Sequence, residues 1–253
     1  MTESRHDFRG GAVLASGRRL AMQLAMDPTI AHKVSRSRIA REIAATYVAG
    51  EDVESAIDKA ADQVLKGLDV SLHPLDPDPV DLAQARRAMT RLCGVIERLV
   101  ANPVFDGHAE VSISLAALGL RVNDDLARGQ AREVCQIARD NHVAVTVDDG
   151  GPDVHDRSHR MVMDLLADYE DTGIVIQAAR HDSLMQVREL AAPGRRIRLC
   201  KGSYIGPRSV TLIRPHDVDL RMAACLRALM ALSLIHISEP TRREWLSRMP
   251  SSA

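Results

Sequence analysis

A group of polar residues follows a short apolar run in the last quarter of the chain. The run, residues 197–200, carries one arginine, Arg198, and is followed by Lys201, Gly202 and Tyr204. A buried parallel strand has this pattern when it delivers polar groups to its carboxyl end, where α/β proteins bind ligands. Lys201 supplies a cation, Gly202 lets the backbone approach a ligand, and Tyr204 offers an aromatic face with a hydroxyl. A plain strand-to-helix turn with a surface lysine explains the same spacing, so the pattern alone leaves both interpretations open.

Strand and helix patterns alternate five times from residue 68 onward, which predicts a parallel sheet with helical crossovers. The predicted strands are residues 68–72, 111–115, 143–147, 173–176 and 197–200. The predicted helices are residues 82–100, 126–141, 154–169, 183–191 and 217–230. A doubly wound sheet and a (βα)8 barrel both satisfy this alternation. The first strand is not followed by a glycine-rich dinucleotide fingerprint, which disfavours a dinucleotide-binding sheet.

Three helical segments precede the alternation, and we predict that they form an N-terminal arm at residues 1–67. They lie at residues 12–26, 35–48 and 53–65. In the third, Val53, Ile57, Ala60 and Val64 fall on one helix face, and Gly67 ends the segment.

The composition is that of an ordinary soluble protein, with 253 residues, a net charge of -1 and 45% hydrophobic residues. The near-neutral charge gives no basis for nucleic-acid binding, and no apolar run is long enough to span a bilayer. We therefore expect neither a nucleic-acid partner nor stable membrane insertion. The four cysteines form no CxxC pair and lie in apolar segments, which indicates buried free thiols in a reducing cytoplasm.

Four stretches of the chain share their order and spacing with the motifs of one enzyme family. They read Val-Ser-Ile-Ser-Leu-Ala-Ala-Leu-Gly (111–119), Thr-Val-Asp-Asp (146–149), Ile-Val-Ile-Gln-Ala (174–178) and Arg-Leu-Cys-Lys-Gly-Ser-Tyr (198–204). They resemble Val-Ser-(Ile/Leu)-Lys-Leu-Ser-Ala-Leu-Gly, Thr-Leu-Asp-Met, (Val/Leu)-Ile-Gln-Ala and Arg-Leu-(Val/Cys)-Lys-Gly-Ala-Tyr of the FAD-dependent proline dehydrogenases. The resemblance is to the monofunctional actinobacterial type.

The resemblance implies an α/β fold in which residues 68–231 form an incomplete, distorted (βα)8 barrel of about five units. It implies an enzyme of proline catabolism that oxidises L-proline to pyrroline-5-carboxylate by hydride transfer to flavin N5. The implied cofactor is FAD, and the implied electron acceptor is a quinone at the membrane surface. We therefore expect a cytoplasmic protein that makes peripheral contact with the inner face of the membrane.

The resemblance also implies roles for individual residues. The implied flavin contacts are Asp149, Gln177, Lys201, Gly202 and Ser203. Catalytic roles are implied for Asp148 and for Arg198, whose permanent charge suits a reduced flavin. Substrate contacts are implied for Tyr204 and for Ser114, which stands where the family has a lysine against the proline carboxylate.

The chain departs from the family pattern at three places. Ser114 cannot supply the charge of the family's lysine, Gly150 and Gly151 replace acidic residues, and Ala179 replaces an aromatic residue. The two glycines predict a loose loop after the third strand. A degenerate, non-catalytic paralogue that binds flavin only is therefore the alternative prediction.

A different constellation, of possible metal ligands, lies at the start of the third predicted helix of the alternating region. His155 and His159 are spaced four residues apart, close to Asp153 and Asp156. This spacing without a general-base glutamate is a weak metal motif, so we expect a polar helix start with both histidines on the solvated face and no metal. The scattered histidines are expected at the surface or in loops: His73, His108, His142, His181 and His216.

The end of the chain differs in character from the rest. Residues 233–242 and 247–253 resemble the translation of a transposase adapter used in sequencing libraries. We therefore expect residues 232–253 to be a non-native tail and the natural protein to be longer. Since a barrel of this type needs eight strand–helix units, we expect the chain as written to be an inactive fragment.

Overall fold

The computed structural model describes residues 48–50, 52–148, 150–151, 153–191, 195–202 and 206–231. The predicted helices at 12–26 and, apart from residue 48, at 35–48 lie outside the described residues, as does the predicted tail. The chain divides into two compact units, Met1–Ala60 and Ala61–Ala253. Helix α1 (Val53–Val64) begins in the first unit and is preceded by Asp52, whose carboxylate accepts a hydrogen bond of 2.7 Å from the Ser55 amide. Hydrogen bonds from Ser55 lower the pKa of this carboxyl group.

The described strands and helices between Val70 and Ala231 form a curled half-barrel in which strands alternate with helices, which confirms the predicted α/β fold. The strands are β1 (Val70–Leu72), β2 (Ala109–Ser114), β3 (Ala144–Asp148), β4 (Gly173–Gln177) and β5 (Ile197–Cys200). The helices that follow them are α2 (Leu82–Ala101), α3 (Asp124–Asp140), α4 (His155–Asp168), α5 (Ser183–Leu190) and α6 (Pro215–Ala231).

The order of the strands in the sheet distinguishes a barrel from a doubly wound sheet. All pairs are parallel, and the described strands lie in the order β1-β2-β3-β4-β5, which is their order in the chain. A doubly wound sheet reverses its strand order at a switch point. Because the order here never reverses, the sheet is an arc of a barrel.

The core lies between the outer face of this arc and its helices. In β2, Val111 and Ile113 are buried, and Ile96 and Leu99 are buried on α2, which contacts β2. Side chains of the intervening strand positions therefore project to the inner face of the arc. Helix α2 begins with a side-chain cap, in which the Asp81 carboxylate accepts a hydrogen bond of 2.7 Å from the Gln84 amide.

The described part of the chain keeps its four cysteines as free thiols, as expected. The expectation of burial holds for Cys135 and Cys225, whereas Cys93 and Cys200 are half-buried. Burial raises the pKa of Cys135 to about 11. Within the described ranges, no helix combines the length and the apolar character needed to cross a membrane.

Gly173 at the start of β4 provides a test of how closely the strands pack. A Cβ atom there would lie 2.4 Å from the Thr146 hydroxyl of β3. We expect Gly173→Ala to lower the free energy of unfolding by about 1–3 kcal/mol, because Thr146 must move. The exposed mid-helix Gly129 has nothing within 4 Å of such a Cβ, so Gly129→Ala is expected to raise stability by about 0.5–1 kcal/mol. Urea unfolding measures both, and equal stability of Gly173→Ala and wild type would contradict the close contact.

Candidate active site

The inner face of the half-barrel carries polar side chains where barrels usually carry branched apolar ones. Along β2, Glu110, Ser112 and Ser114 alternate with the buried Val111 and Ile113. This alternation of period two places three polar groups of one strand on the same face of the sheet. The inner face is therefore equipped for binding rather than for packing.

The carboxylate of Glu110 connects β2 to β5 across this face. One of its oxygens lies 2.8 Å from Nη1 of Arg196, and the other pairs with Arg198. The Thr146 hydroxyl of β3 donates a third hydrogen bond to the carboxylate at 2.9 Å. The Glu110 side chain is only 18% exposed, and these three groups supply the hydrogen-bond donors that a largely buried carboxylate needs.

Arg198, a predicted catalytic residue, has neighbours on three further positions of the inner face. Its guanidinium donates to the Ser71 hydroxyl of β1 at 2.7 Å and to the Ser112 hydroxyl at 3.0 Å. It also lies 3.4 Å from the carboxylate of Asp148, the second predicted catalytic residue. The structure thus brings both predicted catalytic residues together.

Asp148 is in turn surrounded by hydrogen-bond donors at the end of β3. The Ser112 hydroxyl donates to its Oδ2 atom at 2.7 Å, and Nδ1 of His73 lies 3.1 Å from the same atom. With Arg198 on Oδ1, three groups contact this carboxylate.

The predicted flavin contacts that the structure describes lie at the ends of β4 and β5. Gln177 is buried, and a Cβ atom on Gly202 would lie 2.7 Å from its side-chain oxygen. Gly202 has a φ of 106°, which side chains rarely adopt, so both its conformation and its neighbour favour glycine. Lys201 beside it has a side chain that is 64% exposed, and its Nζ atom lies 2.6 Å from Asp219 of α6.

Three predicted site residues, Asp149, Ser203 and Tyr204, lie outside the described residues, and their roles stay predictions. Ser114 lies at the end of β2, where its hydroxyl accepts a hydrogen bond of 3.3 Å from the Ala117 amide. That contact begins the turn Ala116–Leu120. In the structure, Ser114 therefore has a local role in the backbone, and its contact with a substrate stays a prediction.

The expectation of a loose loop after β3 was wrong for the glycines. Gly150 and Gly151 are both buried, and Arg121 donates a hydrogen bond of 2.8 Å to the Gly150 carbonyl. Arg121 also pairs with Asp153 at 2.8 Å, and this hydrogen bond is the main cause that lowers the pKa of the Asp153 carboxyl group. A Cβ atom on Gly150 would lie 2.8 Å from Val154, so close packing explains the glycine here.

The expectation that both α4 histidines lie on a solvated face was wrong for His155. Its ring is buried, with Nε2 2.9 Å from the amide nitrogen of Gln186 on α5. His159 is half-buried, with Nε2 3.8 Å from a carboxylate oxygen of Glu189. Among the described residues, no group of three or more histidine, cysteine, aspartate or glutamate side chains could hold a metal ion.

A cavity lies between the sheet and the helices α4 and α5, next to His155 and Gln186. Its volume is about 30 Å³, enough for a water molecule but not for a flavin or an amino acid. A flavin or an amino acid would need a larger site, and the open inner face of the sheet offers one.

The sequence analysis missed two inner-face residues. His73 was expected in a loop or at the surface, although it directly follows β1, where the barrel rule for strand ends would have predicted it. Glu110 lies one residue before the predicted start of its strand, and the alternation with Ser112 and Ser114 was its only signal.

The chain is similar in sequence to two curated proteins of Bacillus subtilis strain 168. It is 22% identical to Proline dehydrogenase 1 over 181 residues, which are 72% of this chain and 59% of that protein. It is 25% identical to Proline dehydrogenase 2 over 188 residues, which are 74% of this chain and 61% of that protein. The chain thus spans about three-fifths of the length of these relatives. It matches no protein-family model. Both relatives support a proline dehydrogenase family.

Solved structures of proline utilization A (PutA) proteins have a similar fold. The protein from Bdellovibrio bacteriovorus superposes with a TM-score of 0.67 at 17% identity, over 76% of this chain and 24% of that one. A bifunctional PutA gives a TM-score of 0.62 at 22% identity, over 77% of this chain and 23% of that one. These similarities show the barrel fold.

The contacts of Glu110 generate a stability prediction. Glu110→Gln leaves two neighbouring guanidinium groups without their shared carboxylate, so we expect a loss of roughly 1–3 kcal/mol in the free energy of unfolding. The same change at the exposed Glu133 of α3 serves as a control and should cost less than about 0.5 kcal/mol. Denaturant unfolding compares the two variants, and equal losses would contradict a structural role for the inner-face carboxylate.

Proposed function

We propose that the protein is a flavin-dependent dehydrogenase that oxidises L-proline to pyrroline-5-carboxylate. The observation that supports the proposal is that residues of the sequence motifs lie where barrels bind ligands. The motif residues Asp148, Gln177, Arg198 and Lys201 lie at or near the carboxyl ends of β3, β4 and β5. The sequence similarity to two proline dehydrogenases supports the same reaction.

The described residues fit a flavin. Gln177 packs closely against the backbone of Gly202, and its side-chain amide can both donate and accept hydrogen bonds. Lys201 can serve the pyrophosphate, because its pair with Asp219 is exposed, and exposed ion pairs contribute little stability. FAD would therefore be held by Gln177, Lys201 and Gly202, together with Asp149 and Ser203 as the motif implies.

When bound, the flavin would accept a hydride from the ring carbon beside the proline nitrogen. Arg198 would stabilise negative charge that develops on the flavin ring, since a guanidinium keeps its charge at all relevant pH values. Asp148 would hold Arg198 in place through the contact of 3.4 Å. We further propose that Tyr204 and Ser114 contact the substrate and that a quinone at the membrane surface receives the electrons.

Flavin binding without proline oxidation is the second candidate, and one observation favours it. Ser114 stands where the family has a lysine against the substrate carboxylate, and its hydroxyl already accepts from the Ala117 amide. The expectation that the chain as written is inactive stays a prediction. Flavin-reduction tests are therefore made on the chain joined to the further strand–helix units of a closed barrel.

The test is anaerobic addition of L-proline to the flavin-loaded protein, followed by the flavin absorbance. We expect bleaching by L-proline, with an apparent KM that falls by roughly tenfold or more in Ser114→Lys, because a charge-assisted contact is restored.

Thr90→Lys, which adds the same charge on the exposed face of α2, is the control and should leave the KM unchanged. No bleaching at any proline concentration, in wild type and Ser114→Lys alike, would reject proline oxidation and favour the second candidate.

A further inference from the structure

His73 occupies the inner face at the carboxyl end of β1, in a geometry that fixes its tautomer. Its Nδ1 atom lies 3.0 Å from the main-chain oxygen of Ser112 and 3.1 Å from Oδ2 of Asp148. A carbonyl oxygen only accepts hydrogen bonds, and so does an ionised carboxylate. Nδ1 must therefore carry the hydrogen.

The Nδ1–H tautomer leaves the lone pair of a neutral imidazole on Nε2. Within the part of the chain that the structure describes, no group hydrogen-bonds to Nε2 of His73. The His73 side chain is 31% exposed, although its Nδ1 atom is engaged in the contacts described above. His73 thus presents a proton acceptor to the open inner face.

Asp148 is less suited to accept a proton itself, because its oxygens already accept from other groups. Ser112 donates at 2.7 Å and Arg198 lies at 3.4 Å, in addition to His73. A carboxylate in such a position orients an imidazole and stabilises the imidazolium that forms when Nε2 gains a proton. Asp148 and His73 therefore form a dyad in which Asp148 positions His73.

We propose that Nε2 of His73 accepts the proton that the substrate's ring nitrogen must lose before its neighbouring carbon is oxidised. The proposal rests on the proposed function. A secondary ammonium has its nitrogen lone pair bound in an N–H bond, so it cannot expel a hydride from the adjacent carbon. Proton transfer breaks that N–H bond and forms Nε2–H, after which the freed lone pair forms the C=N bond as hydride leaves for the flavin. The substrate loses one proton to His73 and one hydride to the flavin, and the product leaves as an iminium.

Charged groups face His73 from other strands of the described sheet. They are Asp148 of β3, Arg198 of β5 and, through Arg198, Glu110 of β2. The two carboxylates of this cluster are matched by two guanidinium groups, those of Arg196 and Arg198. A proton accepted at Nε2 of His73 would therefore add one positive charge to the cluster.

The test uses rapid-mixing measurements of flavin reduction by L-proline across pH in the flavin-loaded protein. In wild type, the rate constant should fall at low pH, because a general base that already carries a proton cannot accept another. In His73→Asn, it should fall roughly 100-fold or more at neutral pH, with little change in KM, because general-base catalysis contributes at least that factor. The variant should also lose the low-pH step and regain rate at high pH, where the substrate nitrogen is already neutral.

His108→Asn is a matched control, because Nδ1 of His108 lies 2.8 Å from the Asp69 carboxylate in a pair of the same kind. His108 precedes β2 and Asp69 precedes β1. It should leave the pH profile unchanged. If wild type is reduced by proline and His73→Asn keeps the same rate and profile, the inference is overturned and the proposed function survives. If wild type is not reduced at all, both are overturned.

A second measurement needs neither substrate nor variant. Long-range ¹H–¹⁵N NMR spectra of the protein without substrate should show His73 in the Nδ1–H tautomer. The Nε2–H tautomer would overturn the inference, because no lone pair would then face the substrate.

Discussion

The carboxylate of Glu110 holds together strands that are not neighbours in the sheet. In a flat sheet, β2 and β5 would be about 14 Å apart, three strand spacings, yet Glu110 lies 2.8 Å from Arg196. The reach from Arg198 to Ser71 on β1, at 2.7 Å, spans one spacing more. A curled sheet favours both contacts, because its concave face brings the side chains of distant strands together. The ion pairs of Glu110 and the curvature of the half-barrel therefore depend on each other.

A charged interior needs a reason, because apolar residues of similar volume often stabilise a core as well as a buried ion pair does. In this chain the ion pairs hold Arg198 between two carboxylates, so that the guanidinium has little freedom to move. A fixed cation interacts with developing charge without first reorganising, which is the requirement for electrostatic stabilisation of a transition state. The polar inner face is thus better explained by a ligand than by folding stability.

The five strands and the helices that follow them could be predicted from the sequence, because runs of four or five residues rich in apolar side chains alternate regularly with amphipathic segments. Strand order could not be read from that pattern, since both sheet types share it, and the motif resemblance decided for the barrel. Glu110 was missed because the predicted strand began one residue later, and strand boundaries are the least reliable part of such a prediction. The prediction for His155 was wrong because polar residues at a helix start usually face solvent. The sequence alone does not show that Gln186 of another helix packs against this ring.

We propose that Arg198 faces the flavin, and the midpoint potential of the bound flavin is the measurement that tests this proposal. Spectroelectrochemical titration would compare Arg198→Ala with Arg196→Ala, because both arginines pair with Glu110 but Arg196 precedes β5 and lies farther from the carboxyl ends of the strands. We expect a lower potential in Arg198→Ala, since a cation that stabilises the reduced flavin is lost, and little change in Arg196→Ala. An unchanged potential in Arg198→Ala would contradict it and would give Arg198 a structural role only.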